Sequence, residues 1–298
     1  MTFTPSSTRP AQAAGTIDIG GDLSGGELIV NRLGFGAMRV TGEGIWGPPA
    51  DRSAAKAVLR RVVELGVNFI DTADSYGPEI SEELIAEALA PYPDDLVIAT
   101  KGGLLRDGPG RWRADCRPEH LRQACEGSLR RLRLDQIPLY QLHTVDSRVP
   151  LEESVGALID LQRAGKIRYL GLSNVGVDEL ERAQKMTSVV SVQNRYNLGD
   201  RGAQPVLDRC ERDGLAFLPW YPLGSGGMAQ AGGAVAEIAE ANGATPAQVA
   251  LAWLLAQSPA MLPIPGTGSV GHLEENMAAA ELRLDDDELA RLSSTTRF

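Results

Sequence analysis

The stretch IPLYQLHTVDSRVPLEESVGALIDLQRAGKIRYLGLSN, residues 137–174, decides the fold. It opens on the run Ile137–His143, closes on the run Ile167–Asn174, and carries the amphipathic segment LEESVGALIDLQRAGK between them. Both runs have strand length and are nearly continuous in apolar residues rather than alternating. Strands covered on both faces, as in a parallel sheet, read this way. The segment between them has helical length, and Gly165 just beyond its periodic residues is a helix stop.

The same unit repeats in both directions. Upstream lie Leu33–Met38, Val67–Asp71 and Leu96–Lys101; downstream lie Val189–Asn194, Leu215–Trp220 and Met261–Ile264, which brings the runs to eight. Amphipathic stretches separate them, among them DRSAAKAVLRRVVELG, SEELIAEALA, RPEHLRQACEGSLRRLRL and VDELERAQKM. Asp51 or Ser53, Ser81 and first-turn Pro118 are start signals, and Gly66 is a stop. The interval after Trp220 holds two helical patterns, AVAEIAEAN and PAQVALAWLLAQ, while TIDIGGDLSGGELIV reads as an N-terminal β-hairpin. Eight strand–helix units close into a (β/α)8 TIM barrel or wind into an open doubly wound sheet. The open sheet is favoured by a first-turn G-x-G-x-x-G, but Gly34-Phe35-Gly36 runs on into Met38 and Arg39 without the third glycine. The barrel is therefore expected, as one α/β domain over residues 16–298. The Pro-, Ser-, Thr- and Ala-rich residues 1–15 are expected to form a flexible tail.

Composition narrows the function. The 298 residues, 43% of them hydrophobic, suffice for a core that needs neither disulfide nor metal. A net charge of −10 argues against non-specific nucleic-acid binding, and Arg130, Arg131 and Arg133 sit among leucines as a solvated helix face. Cys116, Cys125 and Cys210, with His120, His143 and His272, show no metal-ligand spacing, so no metal site is expected. Unpaired thiols, no apolar run approaching about 20 residues and no signal-like N-terminus predict a cytoplasmic protein that meets no membrane.

In a barrel the active site lies at the C-terminal ends of the strands. Those ends carry Asp71, Lys101, His143, Ser173-Asn174, Gln193-Asn194 and Trp220, with Tyr76 five residues past Asp71. Polar groups that repeatedly finish apolar strands are costly if idle. A tyrosine near pKa 10 is a poor acid or base at neutral pH, and a neighbouring Lys101 ammonium is expected to pull Tyr76 down while Asp71 holds the lysine. His143 is placed to donate to a substrate oxygen. Such a set suits protonation of an alkoxide as hydride reaches a carbonyl carbon. Read singly, Asp71 is equally a turn cap, His143 a structural histidine, His120 a surface residue and Trp253 core packing. Trp46 and Trp112, loop tryptophans between Gly, Pro and Arg, are read as substrate-pocket walls.

The chain resembles the aldo-keto reductases, NAD(P)H-dependent carbonyl reductases on a (β/α)8 barrel. The resemblance rests on NFIDTADSYG, the lysine of VIATKGG, LYQLH, GLSN, VQNRYN, LPWYPLGSGG and IPGTGSVGHLEEN, which occur in family order from Leu33 to about Glu281. VNRLGFGAM, GIWGPPADR, SYGP and ATPAQVALAWLL look like bacterial members of the pyridoxal reductase (pyridoxine 4-dehydrogenase) type. The resemblance implies Tyr76 as general acid, tuned by Lys101 and Asp71, with His143 orienting a small-molecule carbonyl substrate, pyridoxal among the candidates. It implies Ser173, Asn174 and Gln193 at a nicotinamide carboxamide and Trp220 stacked on the ring, with Gly36, Ala37 and Met38 also cofactor-binding. Leu223, Gly224 and Ser225 would line the pyrophosphate. Pro265, Gly266, Thr267, Gly268, His272, Glu275 and Asn276 would hold the adenosine end.

Two departures stand out. Many members carry Lys at the position of Gly266 and Arg at that of His272, both contacting the 2′-phosphate of NADPH; here Thr267, Ser269 and His272 would serve. NADPH is the expected cofactor, with NADH kept open. The chain given ends at Phe298, soon after DDDELARL, so either Trp46, Trp112 and the segment after His143 wall the pocket or it is left open; separately, Met228 and the glycines around it read as a mobile loop, a cofactor-closing lid. The competing reading is a nucleotide-sensing or partner-binding subunit of the same fold with little turnover; the intact Asp71–Tyr76–Lys101–His143 set favours the enzyme.

Overall fold

The chain enters the barrel from below. In a computed structural model that describes residues 7–21, 23, 26–224 and 233–294, the expected hairpin is present. Strand β1 (Thr16–Asp18) pairs antiparallel with β2 (Ile29–Asn31), Ile17 opposite Val30. Asp18 Oδ1 accepts from the amides of Gly20 (3.0 Å) and Leu28 (2.9 Å), which ties the two arms together. Ile19, Leu28 and Val30 pack with Phe69, Val97, Leu139, Tyr169 and Leu218, so the hairpin plugs the floor of the barrel.

The wall is a seven-stranded parallel sheet of β3 (Phe35–Gly36), β4 (Phe69–Asp71), β5 (Val97–Gly102), β8 (Ile137–Leu142), β9 (Ile167–Ser173), β10 (Val189–Arg195) and β11 (Ala216–Trp220), neighbours in that order. Between β5 and β8 the chain makes one excursion, an antiparallel hairpin of β6 (Leu104–Gly108) and β7 (Arg111–Ala114), which no sequence signal announced.

The eighth run departs from expectation. Met261–Ile264 is not a strand but closes the sheet into a barrel all the same. Leu262 N–H donates to Phe217 O and Phe217 N–H to Ala260 O, both at 2.8 Å, on the β11 side. On the β3 side, Gly34 donates to Pro263 O (2.9 Å) and Gly36 to Pro265 O (3.3 Å). Pro263 and Pro265 have no N–H, so this side of the seam cannot reciprocate, and a regular ladder is replaced by a one-way set of bonds. The approach is close. A Cβ on Gly36 would stand 2.6 Å from Ile264 O, and one on Gly266 would stand 2.3 Å from Gly36 O.

Helices cover the outside. Asp51 caps α1 (Arg52–Glu64), accepting from Ser53 and Ala54 amides at 2.8 and 2.9 Å. The next helix, α2 (Ile80–Leu89), is not capped by Ser81, the expected start signal. Buried Ser81 instead accepts from the Thr72 hydroxyl (2.8 Å) and donates to Ala37 O (3.2 Å), fastening the loop after β4 to the end of β3. The helices α3 (Pro118–Leu132), α4 (Leu151–Arg163), α5 (Val177–Gln184) and α6 (Gln204–Asp213) follow in turn, α3 with its proline in the first turn. The double pattern after β11 forms α7 (Ala234–Asn242) and α8 (Pro246–Gln257), the latter under a Thr245/Gln248 capping box. Then come α9 (Val270–Ala278) and α10 (Asp286–Ser294). No helix among the described residues is long and apolar enough to cross a membrane.

Part of the segment expected as a tail is structured. Pro10–Ala14 form a 3-10 turn with Ala11 fully buried, its N–H on Leu65 O at 3.3 Å. Small side chains let this turn nest against the end of α1, and Arg283 Nη2 donates to Ala13 O at 3.0 Å.

Candidate active site

The four residues read as catalytic converge at the top of the barrel. Lys101 Nζ, fully buried near the end of β5, donates to Asp71 Oδ2 at 2.6 Å, to Thr72 O at 2.8 Å and to Tyr76 Oη at 3.3 Å. Asp71 Oδ1 accepts from Gln141 Nε2 at 3.0 Å and Gln193 Nε2 at 2.9 Å. The carboxylate thus has donors on both oxygens, which buried ions require. Gln141 had not been singled out, yet it stands two residues before His143 in an apolar strand and so on the same face. His143 turns Nδ1 toward Ser75 Oγ at 3.4 Å and meets the edge of Tyr76, ring centroids 5.8 Å apart.

Electrostatics correct one expectation. Burial pushes the Tyr76 phenol above its ordinary value, outweighing the downward pull of Lys101. The phenol is therefore held protonated rather than as phenolate. Burial alone would pull Lys101 down, but Asp71 and then Tyr76 push it above its usual range. Burial, then Lys101, holds His143 well below the ordinary histidine value, so the ring is neutral at pH 7.

Beside this cluster lies a cleft of about 250 Å³. Gly36, Met38, Gln193, Trp220, Leu223, Gly224, Pro265 and Gly266, all expected near a cofactor, line it together with Asp71 and Tyr76. Arg39, Tyr221, Pro222 and Ile264 also line it and had not been singled out. Trp220 is oriented by Nε1–H to Asn174 Oδ1 at 3.0 Å, and Asn174 Nδ2 reaches His143 O at 2.9 Å and Ser173 Oγ at 3.1 Å. Asn174 adopts φ +58°, a left-handed conformation that asparagine tolerates better than most residues.

The remaining candidates lie outside that lining. Ala37 is buried beneath it, its carbonyl on Ser81. Thr267, Gly268, His272, Glu275 and Asn276 cluster before and along α9. There Thr267 Oγ1 accepts from Ser269 N (3.1 Å), and Glu275 Oε1 accepts from the Thr245 hydroxyl at 2.6 Å, bracing α8. Ser225 and Met228, with the expected lid, lie outside the described residues.

Trp46 and Trp112 stand on the other side of the cluster. Trp112 meets the edge of His143 with centroids 6.5 Å apart, and Trp46 bridges to Gly77 beside Tyr76. A larger, shallow depression of about 680 Å³ lies near β7, among Arg113, Asp115, Arg117, Asp146 and Arg148. Its arginines are already paired: Arg117 with Asp115, Arg148 with Asp146 and Arg113 with Asp107.

Comparison with known proteins agrees with this geometry. Residues 32–297 match the model of the aldo/keto reductase family. An uncharacterized oxidoreductase of Schizosaccharomyces pombe is 48% identical over 287 residues, covering 96% of this chain and 92% of that one. Pyridoxine 4-dehydrogenase of Escherichia coli is 43% identical over 278 residues, covering 91% and 97%. Among solved structures, an aldo/keto reductase of Klebsiella pneumoniae in complex with NADP and acetate aligns with a TM-score of 0.76 and 30% identity, covering 89% of this chain and 90% of that one.

Proposed function

The chain belongs to the aldo/keto reductase family of NAD(P)-dependent oxidoreductases, and from that premise we propose that Tyr76 is the acid in an NADPH-dependent reduction of aldehydes or ketones to alcohols. The observation that carries this reading is a buried, protonated phenol 3.3 Å from an ammonium that a carboxylate already neutralises.

When bound, the cofactor supplies a hydride to the carbonyl carbon. Tyr76 Oη gives its proton to the carbonyl oxygen as alkoxide charge develops there, and a phenol kept above its ordinary value begins the step in the proton-bearing form. The phenolate left behind sits beside Lys101, whose charge Asp71 maintains, so the donor that stabilises it is already in place. Neutral His143, with Nδ1 toward Ser75, leaves Nε2 to orient the substrate oxygen.

The cleft's donor set fits a nicotinamide. Gln193 uses its amide N–H groups on Asp71 and Gln141, while its Oε1 accepts nothing from the described residues and is left for a carboxamide N–H. Ser173 and Asn174 stand beside it, and the tethered Trp220 ring offers a fixed face for stacking. Gly36, Ala37 and Met38 would flank the ring, and Leu223, Gly224 and Ser225 the pyrophosphate. Pro265, Gly266, Thr267, Gly268, His272, Glu275 and Asn276 would take the adenosine end. Preference for NADPH is supported by the NADP-bound Klebsiella neighbour and by Arg39, an exposed cleft cation without an ion pair among the described residues. The relationship to the Escherichia coli enzyme makes pyridoxal the first substrate to try.

The test is NADPH oxidation with pyridoxal beside 4-nitrobenzaldehyde, in the parent and in Tyr76→Phe. Loss of about 10²–10⁴-fold in kcat with unchanged NADPH affinity is expected of the variant. An unchanged rate rejects Tyr76 as the acid. A higher kcat/KM for pyridoxal than for the nitro compound supports the vitamin as substrate; the reverse order leaves a general aldehyde reductase.

A further inference from the structure

Arg106, on β6, is more than nine-tenths buried and has no carboxylate partner among the described residues. Its neighbour Asp107 pairs with Arg113, and Glu43 on the facing loop is exposed and forms no ion pair with it. The guanidinium is held by backbone oxygens: Nη1 donates to Ile45 O at 2.7 Å, and Nη2 to Gly44 O at 2.8 Å and Gly108 O at 3.3 Å. Nε is buried without a partner. One arginine therefore joins two loops that are far apart in sequence, and it holds Ile45 at φ +58°, a conformation a β-branched residue adopts only under constraint.

Both loops carry an exposed tryptophan. Arg106 Cζ lies 3.8 Å from the Trp112 ring centroid and 5.7 Å from that of Trp46. Trp112 in turn touches His143, and Gly47, next to Trp46, donates to Gly77 O at 2.8 Å beside Tyr76. The two indoles thus flank the catalytic pair, with a cation behind them. That charge stands out locally. Lys101 is cancelled by Asp71, whereas Arg106 has no counter-charge among the described residues. Carbonyl oxygens take the hydrogen bonds of its Nη groups without cancelling its charge. An indole whose π-electrons already face a guanidinium is also a poorer partner for a second cation.

We propose that Arg106 is a specificity-determining residue: acting through Trp46 and Trp112, it makes the mouth favour planar carbonyl substrates that carry a negative charge. The proposal rests on the reductase reading above. A planar aldehyde stacks on the indoles with its carbonyl between Tyr76 and His143. Its anionic substituent, at the solvent-open mouth, lies in the field of a charge that no carboxylate offsets. Because the charge acts before hydride transfer, its effect falls on KM more than on kcat.

The experiment compares kcat/KM for 4-carboxybenzaldehyde, 4-nitrobenzaldehyde and 4-(trimethylammonio)benzaldehyde in the parent, Arg106→Lys and Arg106→Met. The parent should favour the carboxylate over the ammonium compound by on the order of tenfold at low salt, carried by KM. The ratio should shrink as salt is raised. Arg106→Met should bring it close to one while retaining the nitro substrate, and Arg106→Lys should keep part of it, since lysine retains the charge without bridging two carbonyls. If Arg106→Met does not fold, the salt dependence of the parent decides. Equal kcat/KM for the charged pair in the parent, or a ratio indifferent to salt, overturns the proposal. No turnover of 4-nitrobenzaldehyde by the parent overturns instead the reductase reading on which it rests.

Discussion

Replacing Asp71 with asparagine tests the electrostatic core of the site. The carboxylate answers three donors: Lys101 Nζ on Oδ2, and the Gln141 and Gln193 amides on Oδ1. An asparagine has one oxygen to offer. If its Nδ2 faces the ammonium, two donors collide; if it faces the glutamines, the same fault appears on the other side. Either way Lys101 stays fully buried with its counter-charge gone. Breaking a buried pair in this manner costs about 3–5 kcal/mol. At about 2 °C per kcal/mol for a chain of this size, Tm should fall by about 6–10 °C. Burial then acts on Lys101 unopposed by Asp71, so its pKa drops and the ammonium is lost as pH rises through that lower value. Turnover should fall by about 10²-fold or more, and the residue of it should decline with rising pH sooner than in the parent. Thermal unfolding of Asp71→Asn, Lys101→Met and the double variant, with pH–rate profiles, measures both effects. The double variant removes both ions and should be more stable than the summed single losses by about 1–3 kcal/mol. A Tm within about 2 °C of the parent for Asp71→Asn, or strict additivity in the cycle, would refute the reasoning.

Other outcomes follow from the same geometry. Asp74 is buried with Oδ1 unpartnered, and burial, then Glu82, raises its carboxyl well above the ordinary value. Its folded pKa exceeds its unfolded one, so the parent loses stability as pH rises through the folded value. Asp74→Asn should therefore stabilise by about 1–3 kcal/mol at pH 8, with the gain fading toward pH 4, as denaturant titrations at both pH values will show. Because His143 is held well below 6.5, kcat should show no inflection near that pH; an inflection there that disappears in His143→Asn would contradict the assignment. Gly266→Ala places a methyl 2.3 Å from Gly36 O, a backbone atom that cannot swing aside. It should destabilise by about 1–3 kcal/mol and weaken NADPH binding by fluorescence titration, and a neutral result would mean the seam yields easily. The same contact gives a local reason why a lysine does not stand here.

The barrel was legible because each strand run is apolar enough to be covered on both faces, and because the polar residues that end those runs break the pattern at one end only. Asp71, Lys101 and His143 are visible for that reason. The misses have equally local causes. Two prolines among five residues leave Met261–Ile264 apolar but short of donors, so it reads as a strand and bonds as a closing strap. Pro10–Ala14 lacks large apolar side chains, yet smallness is what lets Ala11 reach the core. The Tyr76 pKa was misjudged because a pairwise view sees Lys101 and not the burial around both. Arg106 bonds only to backbone oxygens, which leave no mark in sequence; the tryptophans it joins were visible, the joint between them was not.

The closure of the barrel has a mechanical consequence. On the side facing β3 the strap hangs on donors from Gly34 and Gly36, and Pro263 and Pro265 have no N–H to answer them. That side is the hinge line along which this cylinder would first gape. The cleft lies across that line, with Gly36 on one bank and Ile264, Pro265 and Gly266 on the other. Whatever fills the cleft spans the crack like a rivet. Occupancy and circumferential rigidity are thus one property, and slow solvent exchange at the Gly34 and Gly36 amides would report both.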